Sequence, residues 1–126
     1  MNKQQIILCL GFSVFFSSAA VAAAPPKKSA DFSGNYKTLI QDQKAKPHTA
    51  TCIATGYDLV KLSKKFDRLG FTQDGIAKVK IKKAKSSASE LTVHGQARNR
   101  TSSQWQDIAL HCTLKNGAVT NIELDK

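Results

Sequence analysis

Two histidines, His94 and His111, are the residues whose type and placement most suggest coordination chemistry. If antiparallel strands set them opposite one another, their β-carbons stand about 5 Å apart. Such a pair of imidazoles can share a zinc, nickel or copper ion. No third ligand joins them, because Lys78 and Asn121 flank them in that pairing and neither is a good ligand. The plainer reading, two solvated surface imidazoles, stands first, and no cofactor is implied.

A second pattern is ionic. Lys78, Lys80 and Lys82 alternate with Ala77, Val79 and Ile81, and Lys83 and Lys85 follow. On an extended strand, period two puts the alternating lysines on one face. That face has two readings: an edge strand whose charge prevents sheet-to-sheet aggregation, or a contact for an anionic surface. No aromatic side chain interleaves with these lysines, which argues against single-stranded nucleic acid. Arg98 and Arg100 could extend the anionic contact with their bidentate forks. Trp105, on the outward parity beside them, could anchor a protein partner or cap the open end of the core. Nucleophile-elbow, phosphate-loop and zinc-protease motifs are absent, so the expected function is non-enzymatic.

The elements that would position these residues follow from periodicity. Pro25–Ala30 reads as a linker, and residues 31–47 as weakly structured with one short helix near Tyr36–Lys44. Thr55-Gly-Tyr-Asp58 fits a capping box. Leu59, Leu62, Phe66 and Leu69 then recur at helical spacing, with Gly70 as a left-handed stop, which predicts a helix over 56–69. Beyond it the pattern has period two. Val79 and Ile81, then Leu91, Val93 and Ala97, then Ile108, Leu110, Cys112 and Leu114, then Ile122 and Leu124 mark four half-buried strands.

Short turns between those strands predict an antiparallel meander. A two-residue Asn116-Gly117 turn would set Leu110 against Glu123. A three-residue loop pairing Leu114 with Ala118 and Leu110 with Ile122 keeps the apolar residues together and is preferred. The same parity pairs Ile81 with Leu91, Lys82 with Glu90, Val79 with Val93, Val93 with Cys112, and Arg98 with Asp107. The expected architecture is α+β: one helix on a four-stranded antiparallel meander, with residues 51–126 as a single domain and 24–50 as an N-terminal segment.

Export is legible at the N-terminus. Lys3 precedes an apolar stretch, Ile6–Phe16, and a run of small residues reaches Ala24, so residues 1–23 read as a cleaved signal peptide. That apolar stretch is too short to span a bilayer, and no span is expected in the mature form. Of three cysteines, Cys9 leaves with the signal, so Cys52 can pair only with Cys112. An oxidising compartment keeps such a bridge closed. Lys and Arg number 19 against 9 Asp and Glu, a net +10 that becomes +9 when Lys3 is removed. This balance favours anionic partners and excludes nothing about fold. Arg stands only at 68, 98 and 100. A surface built mostly of lysines suits an anionic envelope polymer better than the base-reading that arginine forks serve.

Gly95-x-Ala97-x-x-Arg100, then Trp105, Cys112 and Val119, resemble the C-terminal pattern of an uncharacterised secreted family of rhizobia and brucellae. The wider plan of export signal, a cysteine (Cys52) just before a helix, and a meander carrying the second cysteine resembles YebF-type exported proteins. The resemblance covers about residues 51–124 and implies a cystatin-like helix on a sheet, and export. It lends no catalytic residue or ligand. The expectation is a periplasmic or secreted bacterial binding protein that contacts an anionic envelope component through Lys78, Lys80, Lys82, Lys83, Arg98 and Arg100. The alternative is an inhibitor or immunity-type protein that grips a protein partner through Trp105.

Overall fold

The computed structural model describes residues 24–126; the segment read as a signal peptide lies outside them. Helices α1 (Phe32–Gln41) and α2 (Pro47–Lys61) come first, followed by strand β1 (Phe66–Gly70) and a short helix α3 (Gln73–Ala77). Then come β2 (Ile81–Lys83), a 3₁₀ turn (Lys85–Ser87), β3 (Ala88–Asn99), β4 (Trp105–Lys115) and β5 (Ala118–Asp125). All pairings are antiparallel, in the order β1-β3-β4-β5. β2 lies on the same side of β3 as β1, at the other end. The fold is α+β with one disulfide, as the sequence predicts. The short helix expected near Tyr36–Lys44 corresponds to α1, and α1 and α2 stand where one helix is expected on the sheet.

Helix α2 lies earlier than the capping pattern indicates. Pro47 opens it at the first helical position, where its missing N–H costs nothing. Thr55, expected as the cap, is buried mid-helix, and its hydroxyl donates to the Thr51 carbonyl at 2.7 Å. Asp58 is also buried and accepts the Ser29 N–H at 3.0 Å and the Ser29 hydroxyl. The expected linker is therefore packed onto the helix. Lys61 strengthens that strap by holding Asp31. The ion pair raises the Lys61 ammonium above its ordinary range and lowers the Asp31 carboxyl below its own.

The residues that imitate a helix after position 62 form β1 instead. Ser63 takes the N–H groups of Lys65 and Phe66 on its hydroxyl and turns the chain out of α2. Asp67 is an extra residue: Phe66 pairs with Asn99 and Arg68 with Arg98. That bulge lets Phe66 and Leu69, three apart, both pack on the smaller core cluster of Val60, Ala97 and Ile108.

Alternate residues of β3 and β4 face the helices, with Leu91, Val93, Ala97, Ile108, Leu110, Cys112 and Leu114 buried. Gly56 brings α2 close to the sheet, since a β-carbon there would meet Leu110 Cδ2 at 2.7 Å. Cys52 sits mid-helix, not before it as expected, and its Cα is 5.9 Å from that of Cys112. The bridge ties α2 to β4 in the buried core. The two cysteines stand 60 apart in sequence. Closing a loop of that length restricts the unfolded chain by about 4 kcal/mol on the chain-entropy account.

The strand pairs differ from the expected register by two residues in two places. β3 and β4 pair Leu91 with Cys112 and Val93 with Leu110. β4 and β5 pair Cys112 with Ile122 and Leu110 with Leu124. The β4–β5 turn is the two-residue Asn116-Gly117 form, with φ of 54° and 79° at those positions. Such a hairpin demands positive φ at both central residues. An extra residue, Thr120, then restores parity, and its hydroxyl donates to the Thr113 carbonyl at 3.2 Å. Ile81 pairs with Leu91 and Lys82 with Glu90 as expected, but the strand begins only at Ile81. Ala77 belongs to α3, so Val79 and Val93 are not ladder partners.

Candidate functional site

Strands β1 and β2 leave Thr92, Val93, His94 and Gly95 without a strand partner on that side of β3. The chain from Phe71 to Lys80 passes over this gap. Thr72 caps α3 by accepting the Gly75 N–H at 2.9 Å. Gly95 is the point of closest approach: a β-carbon there would collide with the Phe71 ring and lie 2.6 Å from the Gly70 carbonyl. On the outer face this arrangement leaves two adjoining clefts. The larger, about 870 Å³, runs between α3 and Trp105 and is lined by Gly70, Gln96 and Asp107 among others. The smaller, about 310 Å³, is lined by Lys78, Lys80, Lys82, Glu90 and Thr92. Lys78 and His94 line both.

The structure thus brings the stripe of Lys78, Lys80 and Lys82 beside His94 and Trp105, three features that sequence spacing singles out separately. Their charges are not all open. Lys78 reaches Asp74 at 3.0 Å, and Lys82 stands opposite Glu90. Lys80, Lys83 and Lys85 have no acidic partner among the described residues and are exposed. Trp105 is 46% exposed, with its ring edge over Gly70. Gln96 Nε2 donates to Asp107 Oδ1 at 3.2 Å beside it.

Arg98 and Arg100 do not join this surface. Arg98 donates from Nε and Nη2 to both Asp67 oxygens, at 2.9 and 2.7 Å, not to Asp107. This fork raises the guanidinium above its ordinary range and holds the Asp67 carboxyl below its own. Arg100 donates to the carbonyls of Ser63 and Phe66. Both arginines fasten β1 to the β3–β4 hairpin, and the Nε and Nη2 groups of each are engaged within the molecule.

The histidine pair is corrected by the same shift in register. Ala109 stands opposite His94 and Thr92 opposite His111, so the two imidazoles are diagonal, not direct neighbours. His111 Nδ1 lies 2.9 Å from Thr92 Oγ1, and its Nε2 lies 3.8 Å from Asp125. The row Thr92–His111–Asp125 resembles an activated hydroxyl in outline, but its 3.8 Å step exceeds hydrogen-bond reach. Among the described residues no group of three His, Cys, Asp or Glu side chains gathers to hold a metal ion.

Sequence reasoning missed Gly95, Gln96 and Asp74 as parts of this cleft. Gly95 breaks an apolar alternation, which is the usual mark of close backbone approach. No helix among the described residues is long and apolar enough to cross a membrane. The buried disulfide fits a compartment that keeps thiols oxidised. Compared with known proteins, the chain matches no family model, no curated relative and no solved structure.

Proposed function

We propose that this is a non-enzymatic periplasmic or secreted protein that binds an anionic polymer of the cell envelope along β2 and the adjoining cleft. One observation carries the reading. Lys78, Lys80, Lys82, Lys83 and Lys85 lie along one edge of the sheet, every residue of β2 is exposed, and Glu90 is the carboxylate of the matching stretch of β3. A solvated ammonium row tracks a flexible polyanion without needing a fixed fork geometry. Export through a cleaved leader supplies the compartment, and the oxidised bridge agrees with it.

The test is retention on an immobilised polyanion such as dextran sulfate, at low and high salt. Wild type is retained and released by added salt. The Lys80→Glu, Lys82→Glu, Lys83→Glu triple variant is released at markedly lower salt than wild type. Equal retention of that variant overturns the reading.

A second reading rests on Trp105, which is exposed at the mouth of the larger cleft. An inhibitor-type protein would use it as the apolar anchor for a protein partner. Complex formation would then survive salt and be lost in Trp105→Ala, with the lysine variant intact.

A further inference from the structure

We propose that the turn between α2 and β1 is a docking tip for the surface of an anionic lipid bilayer, with Leu62 entering the interface and Lys64, Lys65 and Lys126 meeting the headgroups. It is separate from the polyanion reading and uses other residues. The turn lies at the far end of β3 from β2. Phe66 pairs with Asn99 while Ile81 pairs with Leu91. At the usual rise of an extended strand those two positions on β3 are about 27 Å apart.

Leu62 is 73% exposed, more than any other large apolar side chain among the described residues. It does not belong to a loose loop. Arg100 donates through its side chain to the Ser63 and Phe66 carbonyls and through its backbone N–H to the Lys65 carbonyl, at 2.8 to 3.2 Å. Ser63 binds the next two free N–H groups. The fold therefore fixes an isolated leucine in water, and burial on a partner costs little ordering of the turn. Behind it lies an apolar notch of about 280 Å³ lined by Leu59, Val60, Phe66 and Leu124.

The rim of the notch is cationic. Two acids near the rim are already engaged, Asp31 with Lys61 and Asp67 with Arg98, and Asp125 beside Lys126 lies 3.8 Å from His111. Lys64, Lys65 and Lys126 have no carboxylate side chain as partner among the described residues. Lys65 stands over the Phe66 ring at 5.2 Å. Contact with the Lys126 amine, then burial, then its charge hold Lys65 below the ordinary ammonium range. Two crowded cations are relieved by an anion beside them. A hydrated polymer would satisfy the lysines but leave Leu62 and the notch in water. A bilayer surface rich in acidic headgroups answers both, hydrocarbon for the leucine and negative charge for the rim.

The experiment is flotation of the purified protein with phosphatidylcholine vesicles, with and without phosphatidylglycerol. Wild type floats with the mixed vesicles and not with pure phosphatidylcholine. Leu62→Asp weakens binding about tenfold or more, as does the Lys65→Glu, Lys126→Glu pair. Leu62→Ser, of unchanged melting temperature, shows the same direction of loss and excludes misfolding as its cause. The Lys80→Glu, Lys82→Glu, Lys83→Glu variant stays within about threefold of wild type. Absence of wild-type flotation overturns the proposal. So does binding by Leu62→Asp that equals wild type, which would mark adsorption by net charge. Retention on dextran sulfate is read separately, so either proposal can fail alone.

Discussion

β1 and β2 occupy the same side of the same strand, yet one is tied into the molecule and the other faces away from it. β1 buries Phe66, packs Leu69 on the core beneath α2, and is fastened by Arg98 through Asp67 and by Arg100 through two carbonyls. β2 is three exposed residues held by its backbone ladder, with Lys80, Lys83 and Lys85 unpaired around it among the described residues. Cationic side chains are present at both ends of β3, so charge alone does not mark a binding surface. What separates the arginines beside β1 from the lysines of β2 is whether the side chain is engaged inside the fold. Lys64, Lys65 and Lys126, at the turn before β1, resemble the β2 lysines in this respect. The arginines act as fasteners and the lysines remain for a partner.

This contrast is broken most severely through Phe66. Phe66→Ala is expected to lower unfolding free energy by about 3–5 kcal/mol, whereas Ile81→Ala on the other edge costs about 1 kcal/mol or less. Denaturant melts of both variants check it, and equal losses would mean that β2 is as structural as β1. Gly95→Ala comes next, at about 1–3 kcal/mol, because the new methyl meets the Gly70 carbonyl and the Phe71 ring where the chain crosses the gap between the edges. Gly56→Ala is milder, since it meets only the ends of the Leu110 and Leu69 side chains.

The salt link of β1 gives a pH signature. Arg98 holds the Asp67 carboxyl below its ordinary value of 3.8. A depressed folded pKa contributes stability above the unfolded value and loses it as pH falls through the folded one. Arg98→Leu therefore lowers the melting temperature at neutral pH, and its gap to wild type narrows on acidification below 3.8. Lys83→Leu on the other edge shows no such narrowing gap. The smallest effect is on the lysine edge itself. Each of Lys80→Glu, Lys82→Glu and Lys83→Glu changes stability by about 0.5 kcal/mol or less while polyanion retention falls.

The same two edges show how far the chain is legible from its sequence. Alternation marks β3, β4 and β5 plainly, and elimination gives the Cys52–Cys112 bridge. The register of β2 follows from setting Ile81 beside Leu91 and Lys82 beside Glu90. Elsewhere parity is not enough. A slip of two residues keeps every side chain on its own face, so the apolar pattern cannot separate Val93–Leu110 from Val93–Cys112. An Arg98–Asp107 charge pair favours the second on sequence grounds, but Asp67, from a strand that reads as helix, is Arg98's actual partner.

Bulges explain the remaining misreadings. Asp67 as an extra residue gives Phe66 and Leu69 a spacing of three on one face, which imitates a helical stripe. Thr120 as an extra residue restores the parity that an Asn116-Gly117 turn alone would violate. The cleft shared by Lys78, His94 and Trp105 depends on chain segments far apart in sequence, so those three could be named beforehand but not their meeting, nor the part taken by Asp74, Gly95 and Gln96.

The most direct measurement is titration of the isotope-labelled protein with a soluble polyanion, following backbone amide shifts. The account predicts shifts concentrated in residues 78–85 and 89–94, with those of 96–100 nearly still. Shifts centred on Arg98 and Arg100, or spread evenly over the surface, would contradict it.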